Sequence, residues 1–231
     1  MRAARSEIGA AIAHLKATVN TDASRRLVED AERGEVEHQV APDERVLEAM
    51  SAIPREEFLS SRLRRHAYEN RALSIECGQT ISQPLVVALM TQALMPQPAD
   101  IALEIGTGSG YQAAVLSRLC RKVVRLEREP ALAEHASETL MRLGFDNVEV
   151  ALADGSLGWP ASAPYDMILV ACAAPDLPNP LVDELAAEGR LIIPLGRAEE
   201  EYQDLRVYHR HDGQLTSRSL FPVRFVPLRT G

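Results

Sequence analysis

A chain of 231 residues with 46% hydrophobic content can bury one sizeable core, so a single main domain is expected. Its formal charge of −8 and the lack of a long Lys/Arg stripe argue against a nucleic-acid groove, which has to neutralise phosphates, and leave a small molecule or a peptide as the expected ligand. Cys77, Cys120 and Cys172 are odd in number and lack C-x-x-C spacing, which argues against a disulfide framework or a structural zinc site and for the reducing cytoplasm.

No apolar h-region follows Arg2, Arg5 and Glu7, and no apolar run of roughly 18 residues occurs, so neither export nor a membrane span is expected. Ile8, Ile12, Leu15 and Val19 recur at helical spacing, and Asp22 can cap a second helix that Gly34 ends. Asp43, after Pro42, opens a third helix running to about Ser51, before the turn at Ile53-Pro54. Residues 1–45 read as a helical cover. From Arg55 to Gly78 periodicity is lost, as expected of a long surface loop and possible lid. Gln79–Pro84 then leads into L-V-V-A-L-M-T-Q-A-L-M, an apolar and hence buried helix with Ser82 at the N-cap and Pro84 in the first turn. Residues 46–100 are therefore read as a helix and a loop next to the ligand.

The stretch I-A-L-E-I-G-T-G-S-G-Y, Ile101 to Tyr111, is a strand that breaks into glycines at every second position and then opens a helix. Gly106, Gly108 and Gly110 let the backbone take positive φ and approach a ligand. The dinucleotide fingerprint wants its third glycine at position 111, where Tyr111 stands, which counts against NAD. Glu104, at the carboxyl end of the strand, would repel a pyrophosphate and favour a cation such as a sulfonium.

Strand and helix signals then alternate: strand at Lys122 to Glu127, helix at Pro130 to Leu143, strands at Val148 to Leu152 and Asp166 to Val170, helix at Leu181 to Ala186, strand at Arg190 to Leu195. This is a parallel α/β pattern, with residues 101–195 as its ligand-binding core. From Leu205 two antiparallel strands around a turn at Asp212-Gly213 close the sheet, the second reaching through V-R-F-V-P-L, so that residues 196–231 are C-terminal strands. Ligands of such sheets lie beyond the carboxyl strand ends, here near Gly106, Glu127, Asp154 and Ala171. A carboxylate at Glu127 can accept from both ribose hydroxyls of a nucleoside, or simply pair with Arg125 or Arg128. Asp154 can accept from an adenine amine with Gly155 giving access to the ring, or the two can form an ordinary turn. The six histidines have no ligand-like spacing, so no metal is expected.

These residues resemble those of the protein-L-isoaspartate O-methyltransferase family. The resemblance runs from about Val46 to Leu228, leaves about the first 25 residues outside it, and is carried by I-P-R-E-E-F at 53–58, G-Q-T-I-S-Q-P at 78–84, L-E-I-G-T-G-S-G-Y-Q at 103–112, L-E-R at 126–128, D-G at 154–155, A-P-Y-D-M-I-L-V at 163–170 and V-R-F-V-P-L at 223–228. It implies a Rossmann-like class I methyltransferase fold that uses S-adenosyl-L-methionine and acts, as a cytoplasmic monomer, on isoaspartyl-containing peptides and proteins. Thr80, Ile81 and Ser82 would lie where cofactor and substrate meet, with Ser82 in the active-site role. Glu104, Gly106, Thr107, Gly108, Ser109, Gly110, Glu127, Arg128, Asp154 and Gly155 would match the cofactor site. Glu69, Ser74, Glu76, Ala171 and Glu188 depart from the family pattern, and Glu76 and Ala171 bear on the acceptor.

The α-carboxylate of an isoaspartyl residue has a pKa of roughly 4 and is already ionised, so methyl transfer requires alignment and exclusion of water rather than a strong base. Ser82 can orient one carboxylate oxygen, and capping the next helix is compatible with that. Two alternatives stay open: a methyltransferase with another acceptor, and a cofactor-binding module without turnover. A-C-A-A-P at 171–175 lacks the N/D-P-P-Y of amino-methylating nucleic-acid enzymes, and Asp176 has no neighbouring acid or amide to hold a divalent ion.

Overall fold

The computed structural model describes residues 43–231 apart from positions 107 and 198, so both helices expected before Asp43, together with His14, His38 and Thr107, lie outside the described residues. Helix α1, Glu44–Ser51, begins where expected: the Asp43 carboxylate accepts from Arg45 N at 2.8 Å, filling a donor that the first turn leaves open. Val46, Leu47, Ala49 and Met50 form its buried face.

The next stretch corrects the expected surface loop. Short 3-10 turns at Arg55–Phe58 and Arg64–His66 carry Arg55, Phe58, Leu59 and Ala67 into the core. Turns of four and three residues are too short to repeat a hydrophobic pattern, which is why the stretch reads as a loop. Strands β1, Leu73–Ser74, and β2, Thr80–Ile81, then pair antiparallel as a small hairpin. Helix α2, Pro84–Ala93, has Gln83 and not Ser82 as its N-cap, and the Gln83 side chain makes no capping hydrogen bond. Pro84 at the first helical position lacks an N–H that would have no intrahelical partner anyway.

Strand β3, Ile101–Ile105, helix α3, Tyr111–Ser117, and strand β4, Lys122–Glu127, come next, followed by helix α4, Pro130–Arg142, and strands β5, Val148–Leu152, and β6, Tyr165–Val170. Helix α5, Asn179–Asp183, leads into β7, Leu185–Leu195, and the long hairpin of β8, Gln203–His211, and β9, Gln214–Val223. The helix expected over Leu181 to Ala186 thus stops at Asp183. Leu181 and Leu185 have helical spacing, but Leu185 pairs with Tyr165 as the start of β7. At the hairpin turn Asp212 and Gly213 take φ of 49° and 74°, as a two-residue primed turn requires.

The seven strands lie in the order β5-β4-β3-β6-β7-β8-β9, parallel as far as β7 and antiparallel beyond it. Leu103, Ile105, Val124, Leu126, Ile168 and Val170 pack on one face, and Ala102, Val123, Met167 and Leu169 pack on the other against Met90, Leu94, Ala113 and Leu116. Burial on both faces explains strands that are apolar throughout rather than alternating. The chain leaves β3 toward β4 on one side and returns as β6 on the other, so connections diverge beyond the carboxyl ends of β3 and β6 and open a crevice there.

Candidate functional site

The crevice is built first by the turn after β3. Gly106, Gly108 and Gly110 have φ of 77°, 50° and 91°, a region that a side chain rarely tolerates, and the chain passes from strand to helix within five residues. At Gly106 a Cβ would stand 2.9 Å from Cys172 Sγ, and at Gly110 it would stand 2.7 Å from Arg125 Nη1. The loop therefore presents main chain to the cleft because side chains beneath it already fill the space.

Glu127 closes β4 and is 7% exposed. Its Oε2 accepts from Gly108 N at 3.0 Å, and its Oε1 accepts from the N–H groups of Arg128 at 2.8 Å and Glu129 at 3.0 Å. Three donors on two oxygens leave a carboxylate with acceptor capacity still open toward the cleft that it lines. The Arg128 guanidinium turns instead to the main-chain oxygen of Gly231.

Glu104 is placed differently from expectation. It is fully buried, next to Arg125 in the register of β3 and β4, and does not line the cleft. Burial pushes its carboxyl up to about 7, opposed by Arg125 and reinforced by Glu127. Burial likewise pulls the Arg125 guanidinium down to about 10, against the attraction of Glu104 and Glu127. The carboxylate next to the glycine loop therefore belongs to a charged cluster under the cleft floor, and the acid at the cleft surface is Glu127.

Asp154 caps the short turn Gly155–Leu157, with Oδ1 accepting from Ser156 N at 2.9 Å and Ser156 Oγ at 2.7 Å. Burial raises its pKa, but hydrogen bonds from Ser156 and Gly231 outweigh this and hold it below the ordinary value. The turn reading and the ligand reading are thus compatible. Gly155 lines the cleft against Ile105, whose Cγ2 would lie 2.3 Å from a Cβ at that position.

The second wall comes from G-Q-T-I-S-Q-P. Gln79 and Thr80 line the cleft, whereas Ile81, its neighbour in the strand, points into the core at 3% exposure. Ser82 is half-buried beyond the lining residues, its carbonyl accepting from Arg55 Nη2 at 2.8 Å. Ser109 is buried, with Oγ 3.4 Å from Tyr111 N. The third wall is a correction to the expected C-terminal strands. Pairing ends at Val223, and residues 224–231 cross the strand ends as a strap. Ala173 N donates to Val226 O at 2.8 Å and Leu228 N to Ala173 O at 2.7 Å, so that Val226, Pro227, Leu228 and Arg229 close one side of the cleft. The strap is pinned by Gly231 N to Asp154 Oδ2 at 2.9 Å and by Arg229 to Glu129 at 2.6 Å. Pro227, which has no N–H to give to a strand ladder, was the available sign of it. Ile105, Leu126, Ala153 and Cys172 supply apolar lining, of which Ala153 and Cys172 lie outside the segments that carry the resemblance.

Among the described residues, Glu188, His211 and Asp212 bring possible metal-ligand atoms within 4.8 Å of one another, but all three are exposed. They lie near the amino-terminal part of β7, at the end of the sheet opposite the cleft, where His211 bonds Glu188 at 2.7 Å.

A family model described as Protein-L-isoaspartate(D-aspartate) O-methyltransferase matches residues 26–231. The chain is 50% identical over 186 residues to Protein-L-isoaspartate O-methyltransferase 2 of Nitrosococcus oceani, covering 80% of this chain and 84% of that protein. It is 46% identical over 210 residues to Protein-L-isoaspartate O-methyltransferase of Methanoculleus marisnigri, covering 91% and 94%. A solved protein-L-isoaspartate O-methyltransferase superposes with a TM-score of 0.75 at 29% identity, over 89% of this chain and 66% of that one. A putative protein-L-isoaspartate O-methyltransferase from Plasmodium falciparum, in complex with S-adenosyl-L-homocysteine, superposes with a TM-score of 0.71 at 27% identity, over 88% and 97%.

Proposed function

Since the chain belongs to the protein-L-isoaspartate O-methyltransferase family, we propose that its cleft binds S-adenosylmethionine and directs methyl transfer to the free α-carboxylate of L-isoaspartyl residues in damaged peptides and proteins. One observation carries this reading: Thr80, from the segment next to Ser82, shares a single cleft with Gly106, Gly108, Glu127 and Gly155. Segments far apart in sequence thereby meet at one cleft, which supports a cofactor site beside the segment that carries Ser82.

The residues fit the cofactor. Glu127 offers a buried carboxylate with unused acceptor capacity, suited to a pair of ribose hydroxyls. Gly155 and the apolar side chains of Ile105 and Leu126 suit a flat ring, with Asp154 beside it to accept from an exocyclic amine. Bound there, S-adenosylmethionine supplies an electrophilic methyl group on a sulfonium.

The chain itself aligns and shields. The acceptor carboxylate is ionised at neutral pH, so no residue has to remove a proton. The Ser82 hydroxyl, which does not cap α2, is available to donate to one carboxylate oxygen and leave the other in line with the methyl group. Val226 to Leu228 exclude water from one side, which matters when two opposite charges are lost in the step. Attack by the following backbone nitrogen on the methyl ester then expels methanol and closes a succinimide, and its hydrolysis returns part of the material as normal aspartate.

The charge of −8 supports peptides rather than nucleic acid as the macromolecular partner. Three free cysteines support a cytoplasmic setting, and among the described residues no helix is long and apolar enough to cross a membrane. Transfer of labelled methyl from S-adenosylmethionine to matched isoaspartyl and aspartyl peptides tests the reading. Label in the isoaspartyl peptide alone is expected; label in both would assign a general carboxylate acceptor, and cofactor binding with label in neither would leave a module without turnover.

A further inference from the structure

A buried cation stands behind the acceptor wall. Arg55 is 1% exposed, and its Nε donates to Ala67 O at 2.7 Å while Nη2 donates to Ser82 O at 2.8 Å. Its Cζ lies 4.6 Å from the centre of the Tyr111 ring. Ala67 belongs to the turns before β1, Ser82 follows β2, and Tyr111 is the first residue of α3, directly after the glycine loop. One planar guanidinium therefore fixes the acceptor segment relative to the cofactor loop, using the fork geometry that separates arginine from lysine. Asn70 Oδ1, accepting from Leu85 N at 3.2 Å, is a second strut between the same two stretches.

Stability alone explains Arg55 poorly. Its Nη1 is buried without a hydrogen-bond partner among the described residues. Burying a guanidinium with unused donors costs more than burying an apolar side chain of similar volume. The arrangement makes sense if what it secures is the main chain at Ser82.

We propose that Arg55 is a positioning residue for methyl transfer: by holding the Ser82 carbonyl it fixes the direction of the Ser82 hydroxyl toward the acceptor carboxylate. The inference rests on the role given to Ser82 above. Arg55 itself touches neither reactant.

The test is a cycle of Arg55→Lys, Arg55→Gln, Ser82→Ala and the double variants, with kcat and KM for an isoaspartyl peptide measured per folded molecule and cofactor affinity measured by calorimetry. Arg55→Lys, which keeps the charge and a donor but loses the fork, should lower kcat about 10-fold, and Arg55→Gln about 100-fold, because misplacement of roughly 1 Å costs that much. The cofactor Kd should move by less than about 3-fold, and in the Ser82→Ala background the Arg55 changes should lower kcat by less than about 3-fold, since both act on one interaction. Wild-type kcat in either folded Arg55 variant, or losses that multiply fully with that of Ser82→Ala, overturns the proposal. If Ser82→Ala itself turns over normally, the Ser82 role fails and takes this inference with it. A slow Ser82→Ala beside a fully active Arg55 variant removes Arg55 alone. Should Arg55→Gln not fold, Arg55→Lys decides.

Discussion

The N–H of Gly108 donates to Glu127 Oε2 at 3.0 Å, so the glycine loop and the acid at the end of β4 form one unit. Glu127 thus shapes the loop on one side and offers its remaining lone pairs to the cleft on the other. Glu127→Ala should weaken S-adenosylmethionine binding by roughly 1.5–3 kcal/mol through loss of charge-assisted hydrogen bonds. Glu127→Gln should also weaken binding, because its single accepting oxygen leaves an NH2 facing either Gly108 N or the N–H groups of Arg128 and Glu129. Calorimetric titration of both folded variants measures this, and an unchanged Kd for Glu127→Ala would place the nucleoside elsewhere.

Ser82 makes a sharper experiment than its sequence position suggests, because Gln83 is the N-cap of α2. Ser82→Ala should change unfolding free energy by no more than about 0.5 kcal/mol, as for a substitution that removes no structural contact. Turnover should fall while cofactor affinity stays, the pattern of a group that acts on the acceptor. Denaturant unfolding alongside steady-state kinetics checks both halves. A stability loss with full turnover would return Ser82 to a structural role.

Gly155 is required by space, since a Cβ there would stand 2.3 Å from Ile105 Cγ2. Gly155→Ala should push Ile105 toward the cleft, and overpacking of this kind costs about 1–3 kcal/mol of stability. Cofactor affinity should fall with it. Gly155→Ala with added Ile105→Leu, which removes the Cγ2 branch while keeping the side-chain volume, should recover part of both losses, and absence of any recovery would mean that the clash is relieved some other way.

Glu104 sets a pH dependence. Its carboxyl is pushed up to about 7 from 4.5, by burial first, with Arg125 opposing and Glu127 adding. An acid with a raised folded pKa binds more protons folded than unfolded, so its contribution is whole below the unfolded pKa and is lost as pH rises through the folded one. Between 4.5 and about 7, stability attributable to Glu104 should therefore fall as pH rises. Glu104→Gln cannot titrate, so the unfolding free energy of wild type minus that of the variant should decline across this window. A difference that is flat with pH would show Glu104 ionised throughout, held by Arg125.

What the sequence made legible was whatever repeats or must be glycine. The strand Lys122–Glu127 was readable because both of its faces are buried, Val148–Leu152 at the sheet edge because of its β-branched V-E-V run, and the loop after Ile105 because its backbone demands positive φ. Which of two acids faces the cleft was not readable from motif position: Glu104 and Glu127 both lie at strand ends, and only the third dimension turns one beneath the loop and the other toward the cleft. Ser82 looked like a cap because serine favours that place, yet the helix starts one residue later at Pro84. Arg55 was hidden by its charge, since a guanidinium in an aperiodic stretch is expected in solvent. The strap from Val226 to Arg229 continues the apolar pattern of β9 and was absorbed into it, although hydrogen bonds to Ala173 give it another place.

The acceptor itself gives the most demanding prediction. In an isoaspartyl linkage the main chain runs through the side-chain carbonyl, so the free carboxylate hangs directly on Cα, one methylene nearer the chain than that of ordinary aspartate. The proposed acceptor position lies beside a cleft walled by Thr80 on one side and by Val226 to Leu228 on another, and alignment with the methyl group there requires one depth of the carboxylate. Lengthening by a methylene moves the oxygen by about 1 Å or more, and such displacement costs on the order of 10²-fold in rate. Aspartyl peptide should therefore be methylated at least about 100-fold more slowly than its isoaspartyl isomer, with the loss in kcat/KM. Once the ester forms, its carbonyl is neutral and electrophilic and can expel methanol, whereas the ionised carboxylate repels a nucleophile and would have to expel oxide, so the next backbone nitrogen closes the succinimide without help from the enzyme. A mass-spectrometric time course on an isoaspartyl peptide should show gain of a methyl group, then net loss of water relative to the starting peptide, then partial return as normal aspartate. Equal rates for the two isomers would mean that the cleft reads only a carboxylate, and a stable ester that never loses methanol would separate methylation from repair.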